Sequence, residues 1–368
     1  MNIKTKEQAI IALARKLDPT ITCSGTTDFL TALYLLCQAL ETFIASISGG
    51  STIISQDNTV FVDAEFGDDG TGVRQNFLMP FQTIAGAIQA AAIGDKIVIS
   101  PGTYTHIGTI TVNKRLTLMM EGVVIQSPIG QLAPTLQFNA TSAGSRIFGN
   151  PNFIGDTGTV LDITGGTSVS LEIGDISSIS TTFPAIHIDA SQASIVAGNI
   201  SHDAASNNPA IQVHVSGSEP SSIKANSISR LNNTGPVVDF EGGGTFELDC
   251  PCIISNRGAA LRIPASGNSG KISVIGCEMV NESTFGFDAQ CIDILTTASE
   301  DIDIFLRGCV LLTSGAESIV APSTNGHTLS LLSANHSWKV AGATVNVVAG
   351  ALDVNPNIPA FCDTAITP

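Results

Sequence analysis

Charge is scarce in this chain. Only 13% of its 368 residues are Asp, Glu, Lys or Arg, against about 25% in an ordinary soluble domain. The balance is acidic, at a net −16. The sequence shows no basic patch to neutralise phosphates, which argues against nucleic acid as a partner. Aromatics are also few, with one Trp and two Tyr, so platforms on which sugars could stack are in short supply. Eight Cys in a chain this long do not make a disulfide scaffold, and their spacing lacks the paired zinc pattern. Reduced thiols, with no metal or cofactor, are the expectation. No apolar run is suited to span a membrane: the first stretch starts near Phe29 and carries Gln38 and Glu41. Its depth also argues against a signal peptide, so the chain is expected to be made in a cytosol without export.

Gly is abundant, and Ile, Val, Ser, Thr and Asn dominate the middle of the chain. That mix suits many short strands joined by tight corners. A low charge with so much apolar side chain also predicts that some surface is hidden in an oligomer.

The first 48 residues read as helical. Thr5-Lys6-Glu7-Gln8 forms a capping box, and Asp18-Pro19 ends the helix it starts. A second helix begins after Thr26 or Thr27, with Phe29, Leu33, Leu36, Leu40, Phe43 and Ile47 spaced as a heptad seam. Two readings stay open. The stripe packs on the body of the same chain, or it is an attachment and oligomerisation piece docked into a larger assembly. The Gly-rich Ser48 to Ser51 favours the second, as a linker over 49–58.

Residues 59 to 105 carry a specific order of features. A strand at Thr59 to Asp63 is followed by the turn-rich Gly67-Asp68-Asp69-Gly70-Thr71-Gly72. Pro80-Phe81-Gln82-Thr83-Ile84 then leads into a helix from Ile84 to Ala92. Gly94-Asp95-Lys96-Ile97-Val98-Ile99 and Pro101-Gly102-Thr103-Tyr104 close the segment. This resembles the capped first coil of pectate-lyase-like right-handed parallel β-helix proteins. The resemblance implies a fold and not an activity. Ile84, Ala87, Ile88 and Ala91 lie at helical spacing to cover the open end of a first coil. The Asp68-Asp69 pair reads as turn chemistry in preference to a metal or acid site.

A repeat follows. Seven segments begin at Thr135, Val160, Ala185, Ala210, Val237, Ala260 and Cys291, spaced 25, 25, 25, 27, 23 and 31 residues apart. Each has apolar second and fourth places around a polar third, as in Ala185-Ile186-His187-Ile188. That is period-two alternation with one face buried. Further short strands in each coil, such as Lys271 to Ile275, and then Ile176-Ser177, Ile200-Ser201, Ile228-Ser229 and Ile254-Ser255, complete a three-strand turn. The fold class is therefore mainly β: a right-handed parallel β-helix of about 25 residues per coil over 59–340, behind the helical segment, with a C-terminal cap or tail over 341–368. Final strands are expected at 328–333 and 343–348.

Stacking turns the polar third place into an outward row: Gln137, Asp162, His187, Gln212, Asp239, Arg262 and Asp293. Rungs lie about 4.8 Å apart, so Asp239 and Asp293 are about 9.6 Å apart, just reaching the spacing of an inverting glycosidase. They are the candidate catalytic pair. The preferred expectation is instead an exposed charge ladder that fixes register, with no catalytic residue, in which Arg262 lowers the pKa of both acids. Cys250, Cys277 and Cys309 fall at one corner of successive coils and read as small apolar fillers, in preference to metal binding by Cys250, Cys252 and Cys277.

A cytosolic route, a separable helical N-terminus, low charge and a β-helix without a clear site together resemble tailed-phage fibres and spikes. That resemblance implies a virion appendage on head or tail, commonly a homotrimer, anchored to other virion proteins by its N-terminus and touching a host-surface glycan. A polysaccharide lyase or glycoside hydrolase is the alternative. A bacterial surface adhesin would need an export signal.

Overall fold

The computed structural model describes residues 58–313, except 166–167, 191, 204–206, 216–218, 232–234, 256, 265–269, 282–290, 295–301 and 308, together with 319–320 and 340–341. The attachment stripe from Phe29 to Ile47 and the strands expected at 328–333 and 343–348 lie outside the described residues.

Among the described residues every strand pairing is parallel. The chain forms a parallel β-solenoid with three faces. One coil runs Thr117–Met119 on the first face, Val123–Gln126 on the second and Leu136–Phe138 on the third. The next runs Ser145–Phe148, Asn152–Gly155 and Leu161–Ile163. In two coils the first and second faces share one continuous strand, Gln192–His202 and Ser221–Arg230. The third face is a single sheet of ten strands, from Ile110–Val112 to Val340–Ala341.

The repeat places its apolar residues as the alternation requires. Leu136, Leu161, Ile186, Ile211, Val238, Leu261 and Ile292 pair in register, rung upon rung, and all seven are fully buried. Each such side chain withdrawn from water contributes roughly 1.5–3 kcal/mol before conformational entropy is counted. Beside this column Phe240 of the third face and Phe246 of the first meet inside the solenoid with rings stacked 6.1 Å apart.

One strand sits a residue away from its expected frame. Ile253, not Ile254, pairs with Ile228 and points into the core. Period two means that a one-residue shift exchanges inside for outside, and two adjacent isoleucines leave the choice to the neighbouring rungs.

The N-terminal end is closed by helix α1, Ile84–Ala90. Thr83 caps it, its hydroxyl accepting from the Gly86 amide at 2.9 Å. Asp69 anchors the preceding loop to this cap. Its carboxylate accepts from the amides of Gln82 and Thr83, both at 2.9 Å, and from the Thr83 hydroxyl. Gly86 makes room for that carboxylate, since a β-carbon there would come within 2.6 Å of it. Ile84, Ala87, Ile88 and Ala91 are buried, and α1 packs on Thr59–Val62, Lys96–Ile99 and Ile110–Val112. The helix stops at Ala90, two residues short of the sequence expectation, because Ala91 turns extended.

Candidate functional site

The third face carries the outward row in the predicted order. Gln137, Asp162, His187, Gln212, Asp239, Arg262 and Asp293 occupy successive rungs. Their side chains bridge those rungs. Gln137 Nε2 donates to Asp162 Oδ2 at 2.7 Å, and His187 Nδ1 donates to Asp162 Oδ1 at 2.8 Å. Arg262 Nε donates to Asp239 Oδ1 at 3.2 Å while a terminal nitrogen donates to Oδ2.

A second outward row runs beside the first. Asp189 pairs with His214 across one rung, Nδ1 to Oδ1 at 3.2 Å. Glu241, on the next rung, accepts from Gln212 Nε2 at 2.6 Å. Sequence reasoning stopped at the fourth place and missed this row. The signal was available, since the alternation in Ile186–Ala190 and Ile211–Val215 continues two residues further.

Two expectations need correcting. The ladder is not simply exposed: Asp162 is 7% and Asp239 4% accessible, shielded by longer neighbours above and below. The Asp239 carboxyl is also pushed up, not down. Burial raises it, and the Arg262 bond recovers only part of that shift. Burial lowers the Arg262 guanidinium in turn, and its bond to Asp239, with the fields of Asp239, Asp293 and Glu241, more than offsets that. The Asp162 bond holds His187 above its ordinary range.

Asp239 and Asp293 thus share one face with Arg262 between them. Asp239 has the raised pKa a general acid needs, but it is buried and both its oxygens are held by Arg262. The ladder pins the coils: each bond ties one coil to the next in one register.

The thiols behave as corner fillers. Cys250, Cys277 and Cys309 are buried and unbridged. Burial pushes the Cys250 thiol up to about 11 and raises Cys277 and Cys309 as well. Metal binding and nucleophilic attack both need the thiolate. Among the described residues no three His, Cys, Asp or Glu side chains gather as a metal site, and no helix is long and apolar enough to cross a membrane.

Inside the corner after the second face lies a seam that sequence reasoning also missed. Ser178 pairs with His202, Arg230 with Ser255, and Ser255 with Asn281. His202 and Arg230 follow the paired Ser201 and Ser229. All five are buried. Ser255 and Asn281 share the Gly258 carbonyl, and Arg230 donates to the Gly235 carbonyl. Among the described residues neither ring nitrogen of His202 has a hydrogen-bond partner. Burial, then the nearby Arg230 charge, push this imidazole down to about 4.

Among the described residues the chain is a parallel β-solenoid whose polar side chains run in rows along its third face. Comparison with protein-family models, curated proteins and solved structures finds no significant match for the chain.

Proposed function

We propose that the chain is a structural appendage of a tailed-phage virion, a head fibre or a tail fibre or spike. In this reading residues 1–48 attach it to other virion proteins, three copies associate, and the solenoid, of the pectate-lyase-like β-helix kind, projects to meet a host-surface glycan. One observation carries the reading: the solenoid presents long outward rows whose bonds serve register, the construction of a rigid rod that displays surface. The sparse charge and apolar N-terminal seam support association with further copies and with a larger assembly.

The test is the mass in solution of the whole chain and of the chain without residues 1–50. A trimer in both forms supports a solenoid-held rod with a free docking end. A monomer in both sinks the fibre reading.

A polysaccharide-cleaving enzyme is the second reading, favoured only by the raised Asp239 carboxyl. It predicts depolymerising activity that Asp239→Asn and Asp293→Asn abolish. Activity untouched by both removes them as the catalytic pair.

A further inference from the structure

The cations of this acidic chain are not evenly placed. Arg74, Lys224 and Arg262 each meet a carboxylate, at Asp95, Asp249 and Asp239. Lys96, Arg115 and Arg146 are exposed and have no acid within ion-pair reach among the described residues. They nevertheless come together. Lys96, Thr117 and Arg146 pair on three successive rungs of the first face. Arg115 lies two residues before Thr117, and its side chain crosses between Gly94 and Gly144, passing 3.8 Å and 3.0 Å from where their β-carbons would stand. Both glycines have positive φ, +89° and +82°, so a side chain is disfavoured at either position and the guanidinium stays uncovered. Lys114 adjoins the group, bonding to the Ala91 carbonyl at 2.8 Å.

An apolar row runs parallel to these cations. Phe61, Val98, Met119 and Phe148 pair on successive rungs, and all face outward, half-buried or exposed. Phe77 sets its ring edge-on to Phe61 at 6.4 Å. The two rows are one step of the pleat apart, about 6.6 Å. Together they make a strip with charge on one side and apolar surface on the other.

We propose that this strip binds an anionic surface polymer whose carboxylate or phosphate groups are widely spaced along an uncharged backbone. Lys96 and Arg146 stand two rungs apart, about 9.6 Å, with the Thr117 hydroxyl between them. That spacing suits separated charges. Duplex nucleic acid carries one charge per about 1.7 Å of axis, and the net −16 of the whole chain repels so dense a polyanion. Arg115 and Arg146 can each grip a carboxylate or phosphate through two parallel bonds, while Val98, Met119 and Phe148 take the C–H faces of the backbone. The inference rests on the reading of the chain as a surface-contacting appendage and names the chemistry it would contact.

The experiment immobilises the full chain and measures binding of hyaluronan, poly(glycerol phosphate), uncharged dextran and poly-dT. Lys96→Gln, Arg115→Gln and Arg146→Gln are combined in one variant. Lys224→Gln, Lys271→Gln and Arg307→Gln are combined in another that removes equal charge elsewhere. Binding of hyaluronan or poly(glycerol phosphate), but not dextran, is expected to weaken at least about tenfold in the first variant and to change less than twofold in the second. Preference for hyaluronan assigns the site to carboxylates, and preference for poly(glycerol phosphate) to phosphates. Equal loss in both variants, tighter binding of poly-dT through the same residues, or no binding of either anionic polymer overturns the proposal. Probing purified particles for the chain separates the two readings: particles that contain it while no polymer binds defeat this inference alone, and particles that lack it defeat the appendage reading.

Discussion

Acid should loosen the solenoid at a definable place. His202 is fully buried, neither ring nitrogen is bonded to any of the described residues, and its pKa is pushed down to about 4 by burial and by the charge of Arg230, against a smaller opposing pull from Asp203. In the unfolded chain the same imidazole titrates near 6.5. Between these values the unfolded state holds a proton that the folded state refuses, so stability falls as pH drops from about 6.5 to about 4. At about 1.36 kcal/mol per unit, the loss accumulated between pH 7 and pH 4 is about 3 kcal/mol. Asp239 works the other way. Its raised carboxyl gains a proton in the folded state first, so its contribution grows as pH falls through the shifted value and fades as pH rises. Comparing the wild-type chain with His202→Leu cancels that term. Urea midpoints at pH 7, 5.5 and 4 are the suitable readout, because stacked repeats need not unfold as a single unit. The wild-type midpoint should drop more steeply than that of the Leu variant, by the equivalent of about 3 kcal/mol across the range. Parallel lines for the two proteins would refute the assignment of the acid-sensitive step to His202.

Further outcomes follow from the same geometry. Arg262→Met strands the buried Asp239 and should cost about 3–5 kcal/mol in thermal melts, most of it recovered by adding Asp239→Leu; a single variant as stable as the wild type would show that the pair is not coupled. In native protein at pH 8, iodoacetamide should label the half-buried Cys252 before the buried Cys250, Cys277 and Cys309, and access sets the order because burial raises all four thiols; site-resolved mass spectrometry reads the order. Asp69→Ala removes three bonds at the cap of α1 and should lower stability by about 1–3 kcal/mol, with hydrogen exchange rising first in α1 and Thr59–Val62. An unchanged exchange pattern there would mean that Asp69 does not hold the closing loop.

The third face was legible because its coils are nearly equal in length and each repeats one small pattern. Ile186-His187-Ile188 and Ile211-Gln212-Val213 need only a period of two and a spacing of 25 to be stacked correctly. Where the local pattern was degenerate it failed by one residue, at Ile253-Ile254, because both residues are equally apolar and only the rung below breaks the tie. Polarity misled in the opposite direction at His202 and Arg230. Both stand two residues after a core isoleucine, Ile200 and Ile228, which the alternation puts inside. Their chemistry reads as surface, and nothing short of the stacked neighbours shows that the corner tolerates a buried polar seam.

The cation strip was hidden for a different reason. Lys96 pairs with Thr117 and Thr117 with Arg146, steps of 21 and 29 residues, against steps of 26 and 25 in the third-face strands of the same coils. A reader scanning at one period cannot align them. The lengths of the intervening corners decide which outward residues become neighbours, while the core repeat decides only that they point outward. The same insertions leave the inner column unbroken, because each coil returns to register at the third face whatever length it spends on the other two. Binding chemistry can therefore be rearranged on the first face at little cost to the fold. A solenoid that must keep its rod while changing what it touches would be expected to vary there, in corner length and exposed cations, and to hold its third-face ladder constant.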